Sequence, residues 1–477
     1  AGRDARGLPG VVGRDDPDGV GPVPIVPELD LLPYPDHDDY YARARQLGID
    51  DLVGRCISIE TSRGCSWGEK CHCTFCGRNA DGMAFRKKSV PRVLAEIEHL
   101  GRRHAARSFL TTDSILDHGY VRDLLPEIAL LGWEIDLFFE VRASLRPEEI
   151  ETLRRAGVTR IQPGIESLST RILGLMRKGT TLLQNIQCLR ACRAQGIHPV
   201  WHHLFGFPGE TLADYERILD IVPSLRHLDA PQSLNSVVVQ RFSPYFDQAS
   251  DFGIENLRPF AGYEAIYPFA PRDVFDLAYN FDHDVRGGAD PALLSLQSGT
   301  LADALRDWRL GFEHDGAELA AFRVGGRALV LDSRGRERIA WALGEPETRV
   351  LDALETPGTR ATALRRLRRA GPAGGAGRPE GILLALLGPL FGPDGNRMLF
   401  ALATGQVREG GYRVQSIEDV VPGDSSWTAS ALEGTIERLV RARLVLEDAG
   451  RYLSLPIPRR FRDMRSPSPP SVHGRAG

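Results

Sequence analysis

From Cys56 to about Phe242 the apolar positions come in short runs rich in β-branched and aromatic residues, each followed by an amphipathic stretch. The runs are Cys56 to Thr61, Ser108 to Thr112, Ile135 to Val141, Thr159 to Gln162, Val200 to Phe205, and Ser236 to Phe242. Runs of this length and composition predict six buried parallel strands. The stretches between them read as helices. Val90, Val93, Leu94, Ile97 and Leu100 recur at helical spacing behind a Ser89 cap, with Pro91 in the first turn. Pro147-Glu148-Glu149 opens a second helix stopped by Gly157; Leu182 to Gln195 is a third, stopped by Gly196, and Leu212 to Leu225 a fourth. Repeated strand–helix alternation predicts an α/β fold, a partial (β/α)6 TIM-like barrel or a doubly wound sheet. Either gathers functional residues at the carboxyl ends of the strands.

After this region the pattern changes. Arg286 to Asp290 is a Gly-rich break, and Pro291 to Phe312 reads as one helix packing back on the barrel. Phe322 to Leu331 has a hairpin pattern around Gly325-Gly326, Glu345 to Ala370 carries two short helices, and Gly371 to Gly377 is a Gly/Ala linker. Ala429 to Leu444 then gives a helix, followed by a wing of Leu444 to Glu447 and Tyr452 to Leu455. The expected organisation is a linker over 1–50, the barrel over 51–290 and a connecting helix over 291–320. A small α+β winged-helix-like domain over 321–458 and a disordered tail over 459–477 follow.

Composition narrows the function classes. The 477 residues carry a formal charge of −4, without the basic excess of a protein that coats nucleic acid or an anionic membrane. No stretch is apolar for long enough to span a membrane, and no secretory pattern opens the chain, so a cytoplasmic protein is expected. Only Lys70, Lys87, Lys88 and Lys178 among the 59 basic residues are lysines, which reads as a GC-rich codon bias. Four of the seven cysteines crowd between Cys65 and Cys76, unlike a disulfide framework and like a metal site in a reducing compartment.

That crowd follows the first predicted strand directly, as Glu60-Thr-Ser-Arg-Gly-Cys65-Ser-Trp-Gly-Glu-Lys-Cys71-His-Cys73-Thr-Phe-Cys76-Gly77. Three thiolates from one loop can hold three irons of a [4Fe–4S] cluster and leave the fourth iron open for chemistry. The alternative is a closed zinc site built from Cys65, Cys71, Cys73 and Cys76, with His72 in reserve. Two features favour the cluster: Phe75 lies inside the last Cys-x-x-Cys, and the loop leaves strand one at the catalytic end of the barrel.

The segment resembles the cluster loop of radical S-adenosylmethionine (SAM) enzymes, specifically the cobalamin-dependent C-methyltransferases that mature ribosomally made peptide natural products. In that family seven residues separate the first two cluster cysteines and two separate the second from the third, a spacing met by Cys65, Cys73 and Cys76. Ser62-Arg63-Gly64 and Gly77 match as well, and the resemblance runs to about Pro268. Cys71 departs from the pattern and is read as a bystander. The resemblance implies reductive cleavage of SAM at the cluster, a radical that abstracts hydrogen, and methylation of a precursor peptide through cobalamin. It also implies a one-electron reductant such as flavodoxin or ferredoxin. In the family an upstream domain binds cobalamin; the first fifty residues, with Pro22 to Pro35, read as the linker leaving such a domain, which is not in this chain.

Polar residues close each later strand: Thr111-Thr112-Asp113, Glu140-Val-Arg142, Gly164-Ile-Glu166-Ser167, His202-His203, and Arg241-Phe-Ser243. SAM requires partners for its ribose, ammonium and carboxylate. Glu140, Glu166 and Ser167 fit the first two, Arg142 or Arg177 fits the carboxylate, and Phe75 belongs to the cofactor wall. Trp201 and one of the two adjacent histidines are expected on the substrate side, because neighbours on a strand face opposite ways. The Gly206-Phe-Pro-Gly209-Glu210-Thr211 turn serves as structure or as part of the adenine pocket, and Cys188 and Cys192 as packing residues. Two other functions stay open: a cobalamin-independent peptide crosslinking enzyme, and a zinc-stapled winged-helix protein that binds nucleic acid. The arginines at 360, 365, 366, 368 and 369 suit an acidic peptide better than DNA, and the wing suits peptide addition as an extra strand.

Overall fold

A computed structural model describes residues 25–50, 56–78, 83–287, 291–324, 326–370, 412–416 and 427–459. The Gly371 to Gly377 linker, the tail beyond Arg459 and the start of the 1–50 linker lie outside the described residues.

The strands β1 (Cys56–Ile59), β2 (Ser108–Thr111), β3 (Asp136–Arg142), β4 (Val158–Gly164) and β5 (His198–Pro199) pair in that order, all parallel. β6 (His202–Phe205) continues the fifth crossing and pairs in parallel with β7 (Ser233–Ser236); a bridge between Glu166 and His203 joins this pair to the end of β4. The result is the α/β parallel architecture expected of a partial barrel. β3 shows how the sequence sets its two faces. Leu137, Phe139 and Val141 are buried, while Asp136, Phe138, Glu140 and Arg142 alternate with them on the opposite face. Each large apolar side chain buried this way stabilises the fold by roughly 1.5–3 kcal/mol.

The helices expected between strands form at Val90–His104, Pro147–Arg155, Leu182–Gln195 and Leu212–Leu225, the first capped by Ser89 and the third by Thr181. The short helices His118–Asp123, Leu125–Leu131 and Thr170–Leu175 were not read from the sequence, being too short to show a period. The helix Pro291–Glu313 packs back on the barrel through Trp308, whose ring meets that of Trp201 at 5.9 Å between centroids. Each indole donates to a backbone carbonyl, of Leu228 and Asp229 respectively.

One strand differs from expectation. The sixth barrel strand is Ser233–Ser236, not Ser236 to Phe242. Val239–Gln240 instead pairs antiparallel with Asn280–Val285, which also pairs with Ile254–Pro259 in a separate three-stranded sheet. The apolar run Val237 to Val239 carried the stronger strand signal, yet the barrel edge is polar because it borders an open cavity. Arg241 and Ser243 are therefore not barrel-end residues. The Arg241 guanidinium lies 4.8 Å from the Phe246 ring and donates to the carbonyls of Ala278 and Phe275, and Ser243 caps Pro244–Asp247.

In the region of the expected winged-helix-like domain, Leu319–Val324, Arg327–Asp332 and Arg338–Leu343 form an antiparallel sheet. Three helices, Glu345–Ala353, Arg360–Arg369 and Ala429–Arg441, accompany a second sheet of Gly358–Thr359, Arg451–Ser454 and Val445–Asp448. Buried Arg190 fastens this region to the barrel by donating to the carbonyls of Leu455, Pro456 and Glu355. Among the described residues no helix is long and apolar enough to cross a membrane.

His203 faces away from the barrel interior, fully buried, with neither ring nitrogen bonded to a described residue. Burial pulls its pKa down to about 4. Between that value and the ordinary 6.5 the unfolded chain binds a proton that the folded chain refuses, so stability is lost as pH falls through this window. Relative to the parent, His203→Leu is expected to gain up to about 1.4 kcal/mol per pH unit on acidification from pH 6.5 to 5, measured by urea unfolding. A gap between variant and parent that stays constant with pH contradicts this assignment.

Candidate active site

A cavity of about 600 Å³ opens at the carboxyl ends of the strands. Its wall includes Cys65, Cys73, Cys76, Phe75, Glu140, Arg142 and Glu166, so seven of the nine residues singled out as cluster ligands or SAM contacts meet in one place. Ser167 does not: it is fully buried, and its hydroxyl accepts from the Ser169 amide. Cys71 is likewise not part of the wall; its sulfur lies 3.8 Å from the Arg177 carbonyl.

The cysteine loop is closed at its base by a short antiparallel ladder, Ser62 with Lys87 and Arg63 with Arg86. Asp113, expected as a strand-end functional residue, is a structural anchor. It accepts from the amides of Thr61 and Ser62, and burial pushes its carboxyl up to about 6. Gly64 has a φ of +83°, and a Cβ there meets the Ala84 carbonyl oxygen at 2.2 Å, so the chain turns here only with glycine.

At its far side the loop rests on the turn between Leu175 and Thr180. The Thr74 amide donates to Met176 and its hydroxyl to Leu175, while the Trp67 indole donates to Arg177. The Trp67 ring then covers Gly179 so closely that an added Cβ comes within 2.2 Å of it. Arg142 completes the clamp: its guanidinium stacks 3.9 Å above Trp67 and donates to the carbonyls of Lys178 and Gly179. The structure thus gives Arg142 a positioning duty that the sequence did not show. Arg177 stacks on Phe252, outside the cavity wall.

Lys178 is the cation that sequence reasoning missed. Its ammonium lies 2.7 Å from Glu166 Oε1, and burial, which pulls its pKa down, is outweighed by Glu166, so the net shift is upward. A signal was present, because a lysine in so arginine-biased a chain marks a place where a compact ammonium fits and a guanidinium does not. Gly164 opposite leaves the room, since a Cβ there falls 2.7 Å from Lys178 Nζ. Thr180 was missed too. Of two adjacent threonines only Thr181 caps the next helix, which leaves the Thr180 hydroxyl in the cavity wall, buried and without a partner among the described residues. Glu166 Oε2 is the second buried oxygen in the wall without a partner among the described residues. Glu140 pairs with Arg78 at 3.3 Å, and burial raises its pKa.

Of the expected substrate-side residues, His202 is in the wall, its Nδ1 2.7 Å from the Ser233 hydroxyl. Fully buried Trp201 borders the wall as well. In the Gly206 to Thr211 turn, Glu210 accepts from the Gly206 amide and the Tyr215 hydroxyl, and the Phe207 ring supports Phe75 edge to face at 5.7 Å. Cys188 and Cys192 are buried in the core.

Three thiols, two unpartnered oxygens, one ammonium and aromatic Phe75 share this cavity. Burial pushes the Cys73 thiol up to about 11 and raises Cys76 as well, so their thiolates persist only beside strong positive charge, of which Lys178 supplies part. Among the described residues no three His, Cys, Asp or Glu side chains converge on the site of a single metal ion.

The contact of Trp67 with Gly179 fixes the loop, so Gly179→Ala is expected to leave far-UV circular dichroism unchanged. It should cost on the order of 1–3 kcal/mol and reduce the iron retained after anaerobic reconstitution. Iron retention equal to that of the parent contradicts the clamp.

The sequence profile of the Radical SAM superfamily matches residues 59–222. Among curated relatives, an uncharacterized methyltransferase of Pyrococcus horikoshii is 27% identical over 213 residues, 43% of this chain and 44% of that protein. The bacteriochlorophyllide d C-12(1)-methyltransferase of Chlorobaculum tepidum is 26% identical over 201 residues, 41% of this chain and 43% of that protein. The chain therefore spans less than half the length of these relatives. Among solved structures, the radical SAM methyltransferase TsrM of Kitasatospora setae is similar at 20% identity, with 57% of this chain and 54% of that chain covered and a TM-score of 0.42. The cobalamin-dependent SAM radical enzyme OxsB, with aqua-cobalamin and SAM bound, is similar at 17% identity, with 89% and 58% covered and a TM-score of 0.45. Residues 59–222 are a radical SAM domain, homologous to proteins named as methyltransferases, and such a domain implies a [4Fe–4S] cluster and SAM as its cofactors.

Proposed function

We propose that this chain cleaves SAM reductively at a [4Fe–4S] cluster held by Cys65, Cys73 and Cys76, and methylates a carbon of a ribosomally made peptide with cobalamin as methyl carrier. The observation that carries the first part is the placement of those three thiols, and not Cys71, in the wall of one cavity. A cluster bound by these thiols would supply one-electron reduction of SAM and, through it, hydrogen-abstracting power.

The chain's own residues then bind, orient and exclude water. Glu166 Oε2 and the Thr180 hydroxyl receive the ribose hydroxyls or ammonium of SAM, for which their lack of other partners suits them. Lys178 meets the carboxylate, with Glu166 holding its ammonium in place. Phe75, backed by Phe207, forms an apolar wall for adenine. Glu140 is a further polar contact once Arg78 yields. A cavity of this size holds one nucleoside cofactor and the reacting end of a substrate.

Methyl transfer is supported by the two curated relatives named as methyltransferases. Cobalamin and a peptide substrate rest on the resemblance of the cluster loop, and the winged-helix-like region, with Arg365, Arg368 and Arg369 exposed, suits an acidic peptide segment. A flavodoxin- or ferredoxin-type reductant and a cytoplasmic setting complete the proposal.

The test is anaerobic reconstitution followed by SAM and dithionite. The parent is expected to hold about four irons per chain and to release 5′-deoxyadenosine. Cys65→Ala, Cys73→Ala and Cys76→Ala are expected to abolish the product, and Cys71→Ala to keep both iron and product. Glu166→Gln should raise the Kd for SAM on the order of tenfold or more. A colourless protein with one zinc, or loss of iron from Cys71→Ala, overturns the ligand assignment. For the transfer step, a peptide encoded beside this gene should gain a trideuteromethyl group from labelled SAM when cobalamin is supplied; unlabelled peptide contradicts it.

A further inference from the structure

The small antiparallel sheet that displaced the expected sixth strand touches the cysteine loop just beyond Cys76. The Gly77 amide donates to the Gln240 side-chain oxygen at 3.0 Å. Because an amide can donate only to an acceptor, this bond fixes which way the carboxamide points: Oε1 toward Gly77, and Nε2 left over. Gln240 lines the cavity, and its side chain's one bond among the described residues is the one from Gly77 through Oε1.

Tyr279 stands beside it on the same module. Its ring is in the cavity wall and its hydroxyl, likewise unbonded among described residues, lies 3.0 Å from where a Cβ on Gly77 would sit. Both residues are held firmly from behind. Arg241 next to Gln240 accepts no freedom, since its amide donates to the Tyr279 carbonyl and its guanidinium is fixed to Ala278 and Phe275. The Tyr279 amide donates to the Tyr263 hydroxyl. Gly77 itself is packed so tightly that a Cβ meets the Arg241 carbonyl oxygen at 2.3 Å.

Two fixed donors without acceptors among the described residues therefore sit beside Gly77, the residue that follows the third cysteine. We propose that Gln240 Nε2 and the Tyr279 hydroxyl are hydrogen-bond donors to the sulfur side of the cluster, which hold its reduction potential within reach of the electron donor. Donors to cluster or cysteinyl sulfur stabilise the more negative, reduced form and raise the potential. Gln240 has a second duty through its oxygen, positioning the chain after Cys76. The proposal rests on the ligand assignment of Cys65, Cys73 and Cys76 given above.

The two duties separate by substitution. Gln240→Glu keeps an oxygen for the Gly77 amide but loses the donor, and Tyr279→Phe loses a donor without changing charge. Both are tested in the reconstituted chain by iron content and by a redox titration followed through the visible absorption of the cluster. Iron content is expected to match the parent in each. At a fixed solution potential the ratio of reduced to oxidised cluster is expected to fall by about threefold or more in each variant. Titration curves that superimpose on the parent's at full iron content overturn the proposal, as does loss of iron from both variants, which reveals a purely structural role. A parent protein that binds no iron is a distinct result, the failure of the ligand assignment itself.

Discussion

The contact between the Trp67 ring and the backbone at Gly179 is the constraint on which the site depends. It brings the cysteine loop, which leaves β1, against the turn that follows β4, and with it come Lys178 and Thr180 on one side and three thiols on the other. Arg142 closes the arrangement from β3 by stacking on Trp67 and bonding the turn's carbonyls. Three elements distant in sequence are thereby fixed to one another. The thiols face inward because Thr74 and Trp67 satisfy their polar groups on the Leu175 to Thr180 backbone, which leaves no freedom for the loop to turn outward.

The electrostatics of the cavity follow from the same geometry. Buried thiols resist ionisation, and a half-buried carboxylate such as Glu166 gains from a partner. Lys178 answers both needs, pairing with Glu166 and opposing the rise of the Cys73 thiol's pKa. The remaining unsatisfied groups, Glu166 Oε2 and the Thr180 hydroxyl, mark where a polar ligand restores the hydrogen bonds that burial removed.

Much of this was legible in the chain. The 3.6-residue and strand-like periodicities located the principal helices and five of the strands, since those elements bury one face against a continuous core. The cysteine spacing located the loop, and strand ends located Glu140 and Glu166. What escaped did so for physical reasons. The sixth strand, Ser-Leu-Asn-Ser, is polar because it borders the cavity, so the neighbouring valines were read in its place. Ser167 follows Glu166, whose backbone has a φ of +49°, and no alternation rule carries through such a turn to say which way the next side chain points. Lys178 and Thr180 lie in an irregular turn where periodicity carries no information, and only their chemistry, a rare lysine and a threonine with no cap to make, distinguished them.

The central claim is that three thiols hold a cluster with one iron open to SAM. Electron paramagnetic resonance of the reduced, anaerobically reconstituted chain tests this most directly, recorded before and after SAM is added. The expected result is a [4Fe–4S] signal in the parent whose shape changes on addition of SAM, with the same change in Cys71→Ala. A cluster signal indifferent to SAM, as a fully ligated cluster gives, contradicts it.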